Sequence, residues 1–268
     1  MGEPEVSVLM GVRYRRPSTG LLERSVQSIL RQSFDRFEVL IADDGSREEA
    51  VKELEKLARR DARIRFVRSG NLLTLSEKLN ACLREAKGPL IARMDDDDFS
   101  HPERFEKQIK ALKTQKEIAF VGSNAALYRG EACVGTRIFP EYPEVKDFLF
   151  SQPYLHPALM FQREALEAAG GYSESPRRLL CEDYDLLLRL YEKGYRGMNL
   201  QENLLDYTLP QTAKGSRKMR HRWNETVTRY CRFRELGILP QALPYVIKPL
   251  AVGLLPEPVL RRLKGLPL

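Results

Sequence analysis

The first 125 residues alternate short apolar runs with amphipathic stretches, and this alternation restricts the fold more than any other feature of the sequence. Short apolar runs are typical of strands, and apolar residues at helical spacing are typical of helices. Strands are predicted at residues 6–10, 38–42, 64–67, 89–93 and 118–121, and helices at 21–32, 48–60, 74–86 and 102–113. Strands that alternate with helices form βαβ units, so an α/β fold with a mostly parallel sheet flanked by helices is predicted.

The rest of the chain divides into an irregular part and a helical part. Prolines interrupt the apolar pieces between about residues 128 and 157, where loops and edge strands are expected. Helices are predicted again at 163–169, 183–192 and 217–236. Six of the 16 prolines follow Gly237. These shifts predict a main domain at 1–213, with halves at about 1–125 and 126–213, and a basic, helical, proline-rich C-terminal extension at 214–268.

A capping box is predicted in front of the fourth helix. Ser100 and Glu103 have the spacing of a capping box, and Pro102 suits the first turn of a helix. The acidic run before it is therefore expected to be a loop.

Composition excludes several classes of protein. Hydrophobic residues make up 43% of the chain and charged residues 30%, which is ordinary for a globular protein and unlike a disordered one. The four cysteines form no C-x-x-C pair, so neither a zinc knuckle nor a disulfide framework is expected. The N-terminus lacks a signal-peptide pattern, and no uninterrupted apolar run reaches about 18 residues. A cytoplasmic protein without a spanning helix is expected.

Two acidic loops follow predicted strands, at the edge of the sheet where ligands bind in open α/β folds. They are Asp43-Asp44-Gly45-Ser46 and Asp95-Asp96-Asp97-Asp98. Carboxylates this close repel one another, so they need a compensating cation or hydrogen-bond donor, and a divalent metal is the simplest candidate. Mg²⁺ or Mn²⁺ takes one or two carboxylates and completes its shell with diphosphate oxygens. Neither G-x-G-x-x-G nor G-x-x-x-x-G-K-[ST] occurs, so the hypothesis is a nucleotide diphosphate bridged by metal to Asp95 and Asp97. A solvated acidic turn is the alternative.

Asp43 is a candidate contact for a nucleotide base. A carboxylate accepts hydrogen bonds and does not donate them, so it suits the N3–H of uracil and opposes cytosine. Guanine or thymine would also fit. Since Asp-Gly is a common turn as well, a purely structural role remains open.

A third acidic group, Glu182, Asp183 and Asp185, stands at the start of a predicted helix. Acidic residues there ordinarily interact with the helix dipole. An acid held next to a metal site can instead serve as a general base. The residues alone leave both interpretations open, and the same is true of His156, since a lone histidine is often structural.

Together these blocks resemble the family 2 glycosyltransferases, inverting enzymes of the GT-A fold that use nucleotide sugars. The opening block is similar in Val6-Ser7-Val8, in Ser25-Val26-Gln27-Ser28-Ile29-Leu30-Arg31-Gln32-Ser33-Phe34 and in Phe37-Glu38-Val39-Leu40-Ile41-Ala42-Asp43-Asp44-Gly45-Ser46. The D-x-D metal block resembles Ala92-Arg93-Met94-Asp95-Asp96-Asp97-Asp98 with Pro102-Glu103-Arg104, and the catalytic E-D block resembles Glu182-Asp183-Tyr184-Asp185-Leu186. The resemblance covers residues 5 to about 210.

The resemblance implies a GT-A Rossmann-like fold and a metal-dependent transferase that uses Mn²⁺ or Mg²⁺. A hexosyl or N-acetylhexosaminyl group would pass, with inversion, from a UDP-sugar to a hydroxyl of a saccharide or lipid-linked acceptor. The setting would be the synthesis of bacterial cell-surface polysaccharide or glycolipid. The implied residues are Asp183 as catalytic base, Gly11, Val12, Asp43, Asp44, Asp95 and Asp96 at the nucleotide sugar, Asp97 and Asp95 at the metal, and Asp98, Glu182 and His156 in accessory roles.

The chain departs from the family pattern in two places. The family usually has Pro-Val-Tyr-Asn after the first strand, whereas this chain has Gly11-Val12-Arg13-Tyr14. The variable position of D-x-D is itself an aspartate, Asp96. A metal-dependent nucleotidyltransferase is therefore kept as an alternative, since Arg13, Arg15, Arg16 and Gly20 could belong to a phosphate loop.

Positive charge is concentrated near the C-terminus. Between Lys214 and Lys264, twelve Lys and Arg residues face three Glu residues, whereas the whole chain carries +7. A non-enzymatic nucleic-acid-binding protein is one alternative, but base-stacking aromatics are sparse there, so no nucleic-acid partner is expected. Apolar residues flanked by cations, without a spanning run, are typical of a segment that lies on a membrane. Peripheral contact with the anionic inner face of the cell membrane is predicted, with packing of the tail on the main domain as the alternative.

Overall fold

Strands and helices alternate through the first half of the chain in the computed structural model, which describes residues 2–14, 20–43, 45–46, 48–67, 74–210 and 218–254. The strands are β1 (Val6–Val12), β2 (Phe37–Asp43), β3 (Ile64–Val67), β4 (Leu90–Arg93), β5 (Phe99–Ser100), β6 (Phe120–Arg129), β7 (Ala132–Arg137), β8 (Met160–Gln162) and β9 (Gly197–Thr208). The helices are α1 (Gly20–Leu30), α2 (Glu48–Arg60), α3 (Leu75–Glu85), α4 (Arg104–Thr114), α5 (Arg163–Ala168), α6 (Glu182–Glu192), α7 (Met219–Glu235) and α8 (Leu239–Leu254).

All of these strands belong to one sheet, in the order β3-β2-β1-β4-β8-β6-β9-β5, with β7 paired to β6. The first four strands of this order run parallel to one another, and β6 and β9 are also parallel. Strand β8 is antiparallel to both of its neighbours, and β5 is antiparallel to β9. The predicted α/β fold with a mostly parallel sheet flanked by helices is confirmed.

Helices cover both faces of the sheet, which explains why β1 and β2 are buried along almost their whole length and are mostly apolar. In β1, Val8 and Met10 belong to a buried cluster with apolar residues of α1, α2 and α4. Leu9, between them, belongs to a second buried cluster with residues of α3, α5, α6, α7 and α8. Alternate side chains of a strand point to opposite faces, so these clusters are the two layers of the core.

Strand β9 is absent from the sequence prediction, and the strand predicted at 118–121 is the first part of the ten-residue β6. Polar residues such as Asn199, Glu202 and Asp206 interrupt the apolar pattern of β9. The two-residue alternation that is typical of a strand therefore cannot be recognised in its sequence. The strand forms because β6 and β5 offer backbone partners on its two sides. Those partners are distant in the chain, and local periodicity does not report them.

The predicted capping box at the start of α4 is wrong. Ser100 lies in β5, where its backbone N–H donates to the Ser28 hydroxyl at 2.9 Å and its own hydroxyl accepts from the Gln32 side chain at 3.1 Å. Helix α4 begins at Arg104, and Glu103 caps it without a side-chain hydrogen bond. Partners on α1 and just after its end have therefore replaced the local capping contact.

Helices α7 and α8 form an antiparallel hairpin around a turn at Gly237, whose φ is +71°. The Arg222 guanidinium donates to the carbonyl of Pro249 at 3.3 Å. Phe233, Ala242 and Val246 are buried in the core layer that also contains the leucines of α6. The predicted helical C-terminal extension is confirmed, and α8 accommodates Pro244 and Pro249 in its interior. Residues 211–217 and 255–268 lie outside the described residues. Within the described parts of the chain, no helix is both long and apolar enough to cross a bilayer.

Candidate active site

The sheet brings the first two acidic loops together at the carboxyl ends of neighbouring parallel strands. In the pairing register, Val12 of β1 lies opposite Asp43 of β2, and Leu9 of β1 lies opposite Arg93 of β4. The chain leaves β4 directly into the loop that begins at Asp95. Asp44, the remaining predicted contact of the first loop, lies outside the described residues.

Three of the four aspartates in the second loop form a cluster that could hold a divalent cation. Asp95, Asp97 and Asp98 each offer a carboxylate oxygen, and these atoms lie within 4.8 Å of one another. Asp98 Oδ1 accepts from the backbone N–H of Thr208 at 2.8 Å, whereas its buried Oδ2 has no hydrogen-bond partner among the residues that the structure describes. Burial and the adjacent carboxylates raise the pKa of Asp98 to about 8. A buried acceptor without a donor, beside two further carboxylates, fits a hard cation.

Asp96 is engaged by a different partner. Its carboxylate accepts from the Tyr14 hydroxyl at 2.5 Å, and burial raises its pKa above the ordinary value. The backbone N–H of Tyr14 donates to the Ser46 hydroxyl at 2.7 Å, and that hydroxyl donates to Asp43. Tyr14 therefore joins the ends of β1, β2 and β4. The sequence prediction missed this residue, because nothing in the local pattern indicates a contact across 82 positions.

The end of β1 meets helix α3 closely. A side chain at Gly11 would come within 2.9 Å of Leu75, so glycine is needed for this close approach. The Lys78 ammonium donates to the carbonyl of Val12 at 3.1 Å, and the Val12 side chain is buried. Gly11 and Val12 are both predicted to contact the nucleotide sugar. Because the side chain of Val12 is buried, only its backbone atoms could make that contact.

Two buried arginines lie beneath the acidic loop. Arg93 is 1% exposed, pairs with Asp95 and donates to the carbonyl of Met94. Arg104 is completely buried and donates to the carbonyl of Arg93 at 2.8 Å. The Ser25 hydroxyl also holds the loop, by donating to the carbonyl of Asp95 at 2.8 Å. Positive charge below the loop therefore offsets part of the repulsion between its carboxylates.

The third acidic group separates into different environments on the first turn of α6. Asp183 is partly exposed, and its Oδ1 accepts from the backbone N–H of Tyr184 at 2.8 Å. Glu182 is buried, and its Oε2 has no hydrogen-bond partner within the described part of the chain. Burial and then the charge of Asp183 raise the pKa of Glu182 to about 7. Asp185 is 1% exposed and points away, into a group of arginines.

A cleft of about 800 Å³ connects the acidic loop to the start of α6. Its wall includes Asp95 of the acidic loop together with Glu182 and Asp183 of α6. Helix α7 and the residue before it add Lys218, His221, Glu225 and Arg229 to the same wall. A cation held at the acidic loop and a carboxylate at Asp183 would thus face one bound substrate.

His156 lies in the cleft wall but is itself buried. Its Nε2 and the Tyr172 hydroxyl are 2.9 Å apart and share a hydrogen bond. Burial lowers the pKa of His156 well below its ordinary value, and the nearby Arg93 charge acts in the same direction. The imidazole is therefore neutral near pH 7 and cannot supply positive charge to a substrate.

Glu182 makes stability depend on pH. Its pKa of about 7 in the folded chain lies above the ordinary 4.5, so between these values the folded state binds more protons than the unfolded state. The free energy of unfolding should therefore fall as pH rises through this window. Since Glu182→Gln cannot ionise, we expect it to gain about 3 kcal/mol over the wild type between about pH 4 and pH 8. Denaturant unfolding at both pH values measures the difference, and a difference that does not change with pH would contradict the prediction.

The chain is similar in sequence to known glycosyltransferases. The family model described as Glycosyl transferase family 2 matches residues 13–161. The glycosyltransferase EpsE of Bacillus subtilis is 32% identical, over 97% of this chain and 92% of its own length. The O-antigen biosynthesis glycosyltransferase WbnJ of Escherichia coli is 33% identical, over 76% of this chain and 79% of its own length.

Solved structures share the architecture at low sequence identity. S. aureus TarS 1–349 in complex with UDP has a TM-score of 0.67 at 17% identity, over 91% of this chain and 72% of its own. The mannosyltransferase PcManGT of Pyrobaculum calidifontis, in complex with GDP-Man and Mn²⁺, has a TM-score of 0.65 at 17% identity, over 98% of this chain and 79% of its own. At these identities the similarity establishes the fold, which is the GT-A fold predicted from the sequence.

Proposed function

The chain belongs to glycosyl transferase family 2, and from this membership we propose that it moves a sugar from a UDP-sugar to a hydroxyl of a saccharide or lipid-linked acceptor. The observation that carries the proposal is the single cleft that contains both Asp95 of the acidic loop and Asp183. The names and ligands of the relatives support the details. WbnJ is named for O-antigen biosynthesis, which favours a role in bacterial cell-surface polysaccharide or glycolipid synthesis.

Asp95, Asp97 and Asp98 would hold Mn²⁺ or Mg²⁺. The buried, unpartnered oxygen of Asp98 supports this assignment, and it gives Asp98 a more direct part than the accessory role expected from the sequence. When bound, such a cation would neutralise charge on the diphosphate. PcManGT, which has the same fold, is known with Mn²⁺.

Asp43 would recognise the base of the donor. The Ser46 hydroxyl occupies only one of the acceptor positions of this carboxylate, so another can accept the N3–H of uracil. TarS, which has the same fold, is known with UDP. Gly11, Val12 and Asp96 would line the nucleotide on either side of Asp43, Val12 through its backbone and Asp96 with its carboxylate held by Tyr14.

Asp183 would act as the general base. Its side chain reaches the cleft and is held by the Tyr184 amide, so it can accept the proton of an acceptor hydroxyl. The hydroxyl would then attack the anomeric carbon from the face opposite to UDP, in one displacement with inversion. Glu182 and His156 are not proposed as bases, because both are buried.

A donor panel tests the proposed function. The full chain is mixed with UDP-glucose, UDP-galactose, UDP-GlcNAc, UDP-GalNAc and GDP-mannose, each with and without Mn²⁺, and thermal stabilisation and release of free nucleotide are measured. At least one UDP-sugar should stabilise the chain and be hydrolysed, only with Mn²⁺ present. Release of diphosphate from UTP and a sugar phosphate would instead indicate a nucleotidyltransferase. A response to GDP-mannose alone would contradict the proposed UDP-sugar donor, although a guanine ring N–H would also suit the Asp43 carboxylate.

We further propose peripheral contact with an anionic membrane, at the inner face of the cell membrane. The outer face of α8 exposes Leu243, Ile247 and Leu254, the last at 76%. Helix α7 exposes Trp223 and, one turn before it, the cation Arg220. Apolar side chains beside cations favour the surface of a bilayer with anionic headgroups.

Substituting both Leu243 and Ile247 by Asp should reduce binding to anionic vesicles at low salt by at least about tenfold, because apolar burial is worth roughly 1.5 to 3 kcal/mol for each fully buried side chain. Gln241→Asp is the matched control, since it adds negative charge to the same helix without removing apolar surface. Co-sedimentation with neutral and anionic vesicles measures the effect. Equal binding of the wild-type chain to both vesicles, or an equal loss in the control, would contradict the proposal.

A further inference from the structure

Helix α7 is hydrogen-bonded to the segment that carries the proposed base, residues 176–185. The Asn224 side chain donates to the carbonyls of Pro176 and Leu179, at 3.2 and 3.4 Å. Asn224 is 5% exposed, so these bonds are shielded from water. A side chain of the C-terminal hairpin therefore holds the backbone four residues before Asp183.

A second contact joins α7 to the same segment through a buried carboxylate. Asp185 accepts from Arg178 at 2.9 Å and from Arg189 at 2.8 Å. Arg232 of α7 pairs with the same carboxylate at 3.3 Å and also with Glu192 at 3.0 Å. Asp185 lies two residues after Asp183, so the segment is held on both sides of the proposed base.

A third contact fixes the residue next to the base. The Arg229 guanidinium lies over the ring of Tyr184, 4.9 Å from its centre, and donates to the carbonyl of Leu149 at 2.7 Å. The Tyr184 hydroxyl donates to the carbonyl of Phe148 at 2.6 Å. The Tyr184 side chain is thereby held between α7 and the 148–149 turn.

The held segment contains a strained residue. Leu180 has a φ of +63°, in the left-handed region that a leucine rarely adopts, and its side chain is 47% exposed in the cleft wall. Such a conformation persists only where the surrounding structure imposes it. Apolar contacts of Phe233, Ala242 and Val246 already attach the hairpin to the core. The polar contacts between α7 and residues 176–185 are therefore not needed for attaching the hairpin, and we attribute to them the conformation of this segment.

We propose that Asn224 and Arg232 are positioning residues, which hold the 176–185 segment so that the Asp183 carboxylate faces the acceptor hydroxyl. The C-terminal hairpin would then contribute to catalysis by positioning the acceptor side of the cleft. The catalytic part of the inference rests on the proposed function. Asn224 and Arg232 touch no reacting atom, and their effect passes through the backbone at Leu179 and through Asp185.

The test uses point variants of the full chain. Asn224→Leu keeps the approximate size of the side chain and removes its donors, and Arg232→Met removes the charge. Arg232→Lys restores a cation toward Asp185. Arg234→Met is the matched control, because Arg234 is an exposed cation on the same helix. For each chain, hydrogen exchange of peptides within 176–185, the affinity for UDP with Mn²⁺, and kcat and KM for hydrolysis of the UDP-sugar selected by the donor panel are measured.

Asn224→Leu and Arg232→Met should each speed exchange in residues 176–185 and lower kcat by about 10- to 100-fold, because small misplacements of a reacting group have effects of this size. KM for the UDP-sugar and the affinity for UDP should stay near the wild-type values. Arg232→Lys should recover part of kcat, and Arg234→Met should match the wild type throughout. A role limited to stability would not lower kcat while leaving donor binding unchanged.

Faster exchange with unchanged kcat would overturn the proposal, since the contacts would then be structural only. A parallel loss of UDP affinity and kcat would also overturn it, because the damage would extend beyond the segment. If the wild-type chain hydrolysed no UDP-sugar, the proposed function would fail by itself. Exchange in residues 176–185 would still decide whether α7 holds the segment, and unchanged exchange in both variants would refute that.

Discussion

Replacing Asp183 by Asn is expected to lower sugar transfer by about 10² to 10⁴-fold, the usual contribution of a general base. The amide has nearly the size of the carboxylate, and its oxygen can still accept from the Tyr184 backbone N–H that holds Asp183 at 2.8 Å. It cannot accept a proton from the attacking hydroxyl. Rates of hydrolysis of the UDP-sugar found by the donor panel measure the loss, with water in place of the acceptor.

Donor binding is the internal control for Asp183→Asn, because Asp183 is not one of the three clustered carboxylates proposed to hold the metal. Calorimetry with UDP and Mn²⁺ should give the wild-type affinity. Turnover at near the wild-type rate would mean that another group removes the proton. Glu182→Gln, measured in parallel, should retain much more activity than Asp183→Asn, since the buried Glu182 is not the proposed base.

Replacing Asp97 by Asn should largely abolish the binding of Mn²⁺. One of three clustered carboxylates would be lost, and the two that remain would still repel each other. We expect a larger effect than the roughly 10- to 100-fold loss that follows removal of a group outside the coordination shell. Titration with Mn²⁺ alone, followed by electron paramagnetic resonance, measures this without any donor. Binding of UDP that depends on Mn²⁺ should be lost in parallel.

Asp96→Asn is the matched comparison in the same loop. The Asp96 carboxylate accepts from Tyr14 and is absent from the cluster of three, and an amide oxygen can still accept from that hydroxyl. Its Mn²⁺ affinity should therefore fall much less than that of Asp97→Asn. Equal Mn²⁺ affinities for Asp97→Asn and the wild type would refute the proposed metal site. Equal losses of Mn²⁺ affinity in both variants would contradict the assignment of Asp97, and not Asp96, to the metal site.

Local chemistry was enough to predict the first part of the fold, up to α3 and β4. Apolar runs and helical spacing are properties of neighbouring residues, and they predicted β1 to β4 and α1 to α3 closely. The carboxyl ends of adjacent parallel strands share one edge of a sheet. That rule was sufficient to expect Asp43 and the 95–98 loop near each other, since it needs only strand order and no side-chain detail.

Contacts between distant parts of the chain were not predictable in this way. The Thr208 amide donates to Asp98 across 110 positions, and the Tyr14 hydroxyl donates to Asp96 across 82. Asn224 reaches back 45 positions to Leu179. None of these pairs has a local signature, because each depends on where whole elements pack.

The order of residues along the chain was therefore sufficient for the α/β class, for the GT-A resemblance and for the carboxylates that could carry the chemistry. Packing decided how those carboxylates are used. The 95–98 loop consists of four identical side chains that differ only in their surroundings. The Tyr14 hydroxyl donates a hydrogen bond to Asp96. Burial, together with the charges of Asp95 and Asp97, raises the pKa of Asp98 to about 8. Identical groups acquire different properties because burial and charged neighbours act over a few ångströms of space, and chain position does not record that distance.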